Sequence, residues 1–131
     1  MDPTTLQASL AVAFGGALGS VARYWLGLLV ASGALPWGTI VANVSGSLVI
    51  GLVAGAAGEG ARPALLGETA RLFLTVGFCG GYTTFSSFSL QTVQLALAGR
   101  HGLALGHALL SVLACLAATS AGLVAGAALA R

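Results

Sequence analysis

The sequence predicts an all-α membrane protein with four transmembrane helices per subunit, the third broken near the midplane, in one integral membrane domain covering residues 1–131. Three observations lead there. The 131 residues are 57% hydrophobic and only 6% charged, against roughly a quarter charged in soluble chains. The charges stand at Asp2, Arg23, Glu59, Arg62, Glu68, Arg71, Arg100 and Arg131, with long uncharged runs between them. One run contains GFCGGYTTFSSFSLQ (Gly77–Gln91), where adjacent glycines and six hydroxyl-bearing residues interrupt an apolar segment.

A spanning helix needs about 20 apolar residues, and each long run holds one. The first covers 6–30, and SGALPW, with Gly33 and Pro36, supplies the turn after it. The second covers 37–57 and ends at GEGARPALLGE, where Pro63 and mixed charges mark a connection. The third covers 65–98 with its break near 80–84, and the fourth covers 101–130 after the AGRHG turn. A cleaved leader is not expected, because MDPTTLQASLA carries no basic segment and the apolar run continues past any cleavage length. Cys79 and Cys115 lie in apolar surroundings without metal-ligand spacing and read as reduced packing residues.

With four spans, Arg62 and Arg131 fall on one side of the membrane, with Arg71 close by. Arg100 falls on the other side, near the end of the first helix that carries Arg23. Orientation follows an excess of Lys and Arg on the cytoplasmic side, and here the excess is almost nil. Such a chain can insert both ways up, although a one-charge bias also suffices for a single orientation. Small residues recur at four-residue spacing at Gly15/Gly19, Gly51/Gly55 and Ala114/Ala118/Gly122/Gly126. Ridges of this kind let helix backbones approach closely in lipid. Packing within the chain accounts for most of them, but 20 glycines exceed what four helices need among themselves. An oligomer is expected, and an antiparallel, dual-topology homodimer fits the charge balance.

The three carboxylates, Asp2, Glu59 and Glu68, are terminal or in a connection. Proton-coupled carriers need a titratable carboxylate at membrane depth, so this pattern argues against an exchanger. Nothing resembles a nucleophile–base pair or metal cluster, so an enzyme is not expected. Arg23, embedded in the first span, either snorkels to the interface or faces a wet vestibule and concentrates anions there. On the second span, Thr39, Asn43, Gly46 and Ser47 share a face by their spacing. A buried Asn amide is costly without partners, so Asn43 implies an interhelical bond or a polar cavity. The fourth span contributes Ser111, Thr119 and Ser120, with His107 near its start.

In the third span, Gly80-Gly81 is the expected break, and backbone disruption at membrane depth is tolerated only inside protein or along a cavity. Thr83 and Thr84 suit the cap of a restarted helix. Such a half-helix aims free N–H groups and partial positive charge into the membrane interior, while the broken end exposes carbonyls that can hold a cation. Phe85 and Phe88 share a face; they read either as core packing or as ring edges turned to an anion. Residue types alone give a small homo-oligomeric ion pathway, more suited to anions, and do not name the ion.

Three stretches carry a resemblance beyond this: GGALGSVARY (Gly15–Tyr24), GTIVANVSGSLVIG (Gly38–Gly51) and GFCGGYTTFSSFS (Gly77–Ser89). In this order, on four spans, they resemble the signatures of the fluoride channels, the Fluc or CrcB family. The resemblance implies an antiparallel dual-topology homodimer with two pores in a microbial plasma membrane, exporting fluoride passively. Phe85 and Phe88 would form the phenylalanine box, Asn43 the pore-lining amide with Thr39 on its face, and Arg23 the vestibule arginine. Thr84, Ser87 and Ser111 would form the polar track, and the carbonyls of Gly80 and Thr83 from both chains would hold a central structural Na+. The chain departs from the family pattern on the fourth span, with His107 where an aromatic such as Tyr is expected and Cys115 where a hydroxyl is. The implied partners are fluoride, a second copy and the lipid bilayer, with no nucleic acid. The competing readings are a small secondary transporter (a fluoride–proton exchanger or small-cation exporter) and a helical assembly protein without transport.

Overall fold

A computed structural model of the chain describes residues 3–30, 33–57 and 67–130, and among these there is no strand. Asp2, Glu59, Arg62, Pro63 and Arg131, with the expected start of the third span at Leu65, lie outside the described residues. Helix α1 (Pro3–Leu29) opens on proline, which suits a first helical position because its missing N–H would be unpaired there anyway. Helix α2 (Trp37–Ala56) starts directly after Pro36, whose carbonyl accepts from the amides of Thr39 and Ile40 at 3.1 and 3.2 Å.

The third crossing is built in pieces. Helix α3 (Glu68–Leu72) widens into a π-helical segment, Phe73–Cys79, which returns to a single turn of α-helix, α4 (Gly80–Tyr82). Thr83 and Thr84 are then extended, with φ/ψ of −82/158° and −154/113°. Helix α5 (Phe85–Leu97) restarts the crossing. Gly99 closes it at φ 74°, where Arg100 N donates to Leu95 O at 3.0 Å in the left-handed glycine cap common at helix ends. Helix α6 (His101–Leu129) follows.

This corrects the expected role of Gly80-Gly81, because both glycines are helical and the chain opens two residues later. Gly81 is small for another reason: a Cβ there would collide with the backbone of Gly16 on α1. The break itself falls where two β-branched threonines, which favour extended backbone, follow each other.

Among the described residues three helices, α1, α2 and α6, are long and apolar enough to cross a membrane, and the chain reads as a multi-pass membrane protein. Two backbone-to-backbone seams hold it together. Along α2 and α6, Cβ atoms added at Gly51 or Gly55 would meet the Thr119 and Leu123 carbonyls, and at Gly122 or Gly126 those of Leu48 and Leu52. Along the second seam, Gly15 and Gly19 of α1 lie against the π-helical segment and α4. The intrachain reading of the small-residue ridges therefore holds for these glycines. Large apolar side chains such as Phe14, Leu29, Leu97 and Val124 point outward, as expected where association rests on close packing and not on removal from water.

Candidate functional site

The break between α4 and α5 is held by side chains from two other helices. Asn43 of α2 receives the Thr84 amide on Oδ1 at 2.7 Å and donates from Nδ2 to the Thr84 carbonyl at 3.1 Å. Thr84 Oγ1 caps α5, accepting from Ser87 N at 3.2 Å and donating to Ser87 Oγ at 3.1 Å. The Gly81 carbonyl accepts from Arg23 Nε at 3.2 Å and from Ser20 Oγ at 3.4 Å. Arg23 thus turns inward onto the broken end of α4, where a cation offsets the partial negative charge of a helix terminus.

Because the Thr84 amide is taken by Asn43 and the Ser87 amide by Thr84 Oγ1, neither returns to the carbonyl four residues before it, at Gly80 and Thr83 respectively. These two oxygens lie outside the helical ladder, and Gly80 is exposed. Uncharged carbonyl oxygens are ligands suited to a hard cation, so the donor set at Gly80 and Thr83 fits a sodium ion.

Two grooves flank the break. The first, about 440 Å³, is lined by Asn43, Gly80, Thr83, Phe85, Phe88 and Ser111 among others, and among the described residues it carries no charged side chain. The second, about 600 Å³, opens beside Arg23, Thr39, Ser87 and Gln91. Thr84 lines both. The expected site residues therefore fall into two sets that meet at the N-cap of α5. Phe85 and Phe88 have ring centroids 5.3 Å apart, and Phe88 lies 5.2 Å from the His107 ring. Phe85 is 77% exposed, whereas His107 is fully buried.

The family model described as CrcB-like protein, Camphor Resistance (CrcB), matches residues 10–123. The chain belongs to the CrcB family. It is 53% identical over 110 residues to the protein of Rhodospirillum rubrum named fluoride-specific ion channel FluC, covering 82% of this chain and 84% of that one. To the protein of the same name from Methylocella silvestris it is 48% identical over 110 residues, 82% and 83% of the two chains. To that of Nitrobacter winogradskyi it is 48% identical over 117 residues, 87% and 90%.

Sequence reading missed several groups that this CrcB chain brings to the break. Ser20 shares the Gly81 carbonyl with Arg23, and Ser45 Oγ lies 3.0 Å from Tyr82 Oη. Gln91 is on the same face of α5 as Thr84 and Ser87, seven and four residues earlier, and its Oε1 is buried without a partner. That spacing was legible; an amide at the end of a hydroxyl stripe was the available signal. Thr92 donates to the Phe88 carbonyl at 2.7 Å and lies 2.9 Å from His107 Nδ1. Cys115 lines the first groove beside Ser111.

Proposed function

We propose that this CrcB protein is a fluoride-selective channel, not an enzyme, that lets fluoride leave the cell passively and lowers its cytoplasmic concentration. The observation that carries the reading is the uncharged groove at the helix break, where Asn43, two phenylalanine rings and the Ser111 hydroxyl converge. The curated names of its relatives support it. Fluoride is small and strongly hydrated, so its water must be replaced by closely spaced donors and the positive edges of aromatic rings. Conduction also needs binding that is weak and divided among several sites, which a fixed cation in the narrow part would defeat.

In this reading Arg23 concentrates anions at the second groove while its Nε stays on the Gly81 carbonyl. Thr39, Thr84 and Ser87 pass the ion inward, and Asn43, Phe85, Phe88 and Ser111 receive it. Asn43 spends one N–H and part of its carbonyl capacity on Thr84, which leaves a second Nδ2 N–H for the ion. The working unit is an antiparallel, dual-topology homodimer in a microbial plasma membrane. The exposure of the Phe85 ring and of the Gly80 surface supports a second copy packed at the break. The Gly80 and Thr83 carbonyls of the two copies would hold Na+, which supplies a central positive charge that ties the broken helices together. The carrier alternative has no carboxylate within the apolar runs to work with.

The test is fluoride-electrode efflux from proteoliposomes containing the purified protein. Fluoride is expected to leave down its gradient without a pH gradient, with negligible chloride flux. Chloride efflux at a comparable rate would overturn the proposal.

A further inference from the structure

The fourth span departs from the expected pattern at His107, and the hydrogen bonds around it fix what that histidine does. Among the described residues His107 is the largest side chain that is fully buried. Its ring packs on Phe88, and its Nδ1 lies 2.9 Å from Thr92 Oγ1. The Thr92 hydroxyl has one proton, and the carbonyl of Phe88, 2.7 Å away, can only accept. That proton therefore goes to Phe88, and Thr92 can meet Nδ1 only by accepting from it. The neutral ring then carries its hydrogen on Nδ1 and leaves Nε2, which is buried without a partner among the described residues, as an acceptor. The order of donation runs His107 Nδ1–H to Thr92 Oγ1–H to Phe88 C=O.

We propose that His107 is a positioning residue for Phe88, holding that residue's backbone through Thr92 and its ring by direct contact, so that one side chain fixes a wall of the uncharged groove from two directions. The proposal rests on the reading of that groove as the fluoride pathway. The Phe85 carbonyl likewise accepts from a hydroxyl, Ser89 Oγ at 2.9 Å, but it is Phe88 whose hydroxyl partner is backed by the buried His107 and whose ring packs on it.

Two measurements test it. The first is the ¹⁵N NMR signature of the histidine ring in the full-length protein in lipid bilayers, with His101→Gln removing the second, exposed histidine. Nδ1 is expected protonated and Nε2 unprotonated; the opposite tautomer would overturn the relay. The second is fluoride efflux. Loss of a buried hydrogen bond that aligns the pathway should slow efflux roughly tenfold in His107→Phe and equally in Thr92→Val. The double variant should be no slower than either single one, because both cut the same chain. His107→Asn, whose amide nitrogen occupies the place of Nδ1, should recover most of the rate. Wild-type efflux in both His107→Phe and Thr92→Val would overturn the proposal. If the wild-type protein conducts no fluoride, the channel reading fails while the NMR result still decides the relay.

Discussion

The side-chain amide of Asn43 pairs with both backbone groups of Thr84, as one strand residue pairs with another. This single contact across 41 residues satisfies the amide and carbonyl that the helix break orphans. Asn43 is therefore structural, and in the proposed channel it faces the ion as well. Asn43→Ala should leave the Thr84 amide and carbonyl unpaired and destabilise the fold by about 2–6 kcal/mol, at about 1–3 kcal/mol for each buried group left unsatisfied. Asn43→Asp keeps an acceptor for the Thr84 amide but sets a carboxylate against its carbonyl and against any anion. It should abolish fluoride efflux while costing stability as well. Thermal unfolding monitored by size exclusion, beside electrode efflux, checks both.

Arg23 makes the opposite kind of contact, a cation on the Gly81 carbonyl at the end of α4. Arg23→Gln removes the charge, and Ser20 remains as the other donor. Efflux is expected to fall about tenfold, since a charged cleft raises local anion concentration by at least that factor. The loss should shrink as the ionic strength of the assay rises, because screening removes the same advantage from the wild-type protein. Arg23→Lys should keep most of the salt-dependent part, with lower thermal stability from the changed donor geometry.

The sodium assignment gives a third expectation. If the Gly80 and Thr83 carbonyls hold Na+, replacing Na+ by a large organic cation throughout purification should lower the thermal midpoint of the protein, and adding Na+ back should restore it in proportion to occupancy. A midpoint indifferent to Na+ would remove the ion from the mechanism.

Much of this arrangement was legible in residue types. Hydroxyls clustered before Phe85 announced a capped restart, and Thr84 performs it. An amide in an apolar helix announced a partner, and Asn43 has one. What stayed hidden depended on distance in sequence or on backbone packing. No periodicity marks the π-helical turn at Phe73–Cys79, which lies against Gly15 and Gly19 of α1. Nothing local distinguishes an arginine that snorkels from one that turns inward to Gly81, 58 residues away. The Gly80-Gly81 pair misled for a physical reason: glycine marks flexible backbone and close approach alike, and Gly81 serves the second.

The seam between α2 and α6 makes a fourth expectation. A Cβ at Gly55 or Gly126 would fall on a carbonyl of the opposite helix, and a backbone atom cannot rotate aside as a side chain can. Gly126→Ala should therefore force the helices apart and cost about 1–3 kcal/mol. Gly102→Ala, on the same helix with open space around its α-carbon, should be neutral or slightly stabilising through helix propensity. The pair separates packing from propensity in one thermal unfolding series.

The two phenylalanines separate what one chain does from what a second copy would add. Phe88 packs on His107 within the chain, while Phe85 is 77% exposed. Phe88→Ile should lower both efflux and the thermal midpoint, because it removes a ring that the buried histidine rests on. Phe85→Ile should slow efflux by at least tenfold, the loss of one site's worth of about 1.4 kcal/mol, with little change in the fold of the single chain. If a second copy covers Phe85, the variant should also weaken self-association, visible as a shift toward the monomer on dilution in detergent. Efflux loss without that shift would leave Phe85 facing the ion alone, and a shift without efflux loss would make it a contact between copies and nothing more.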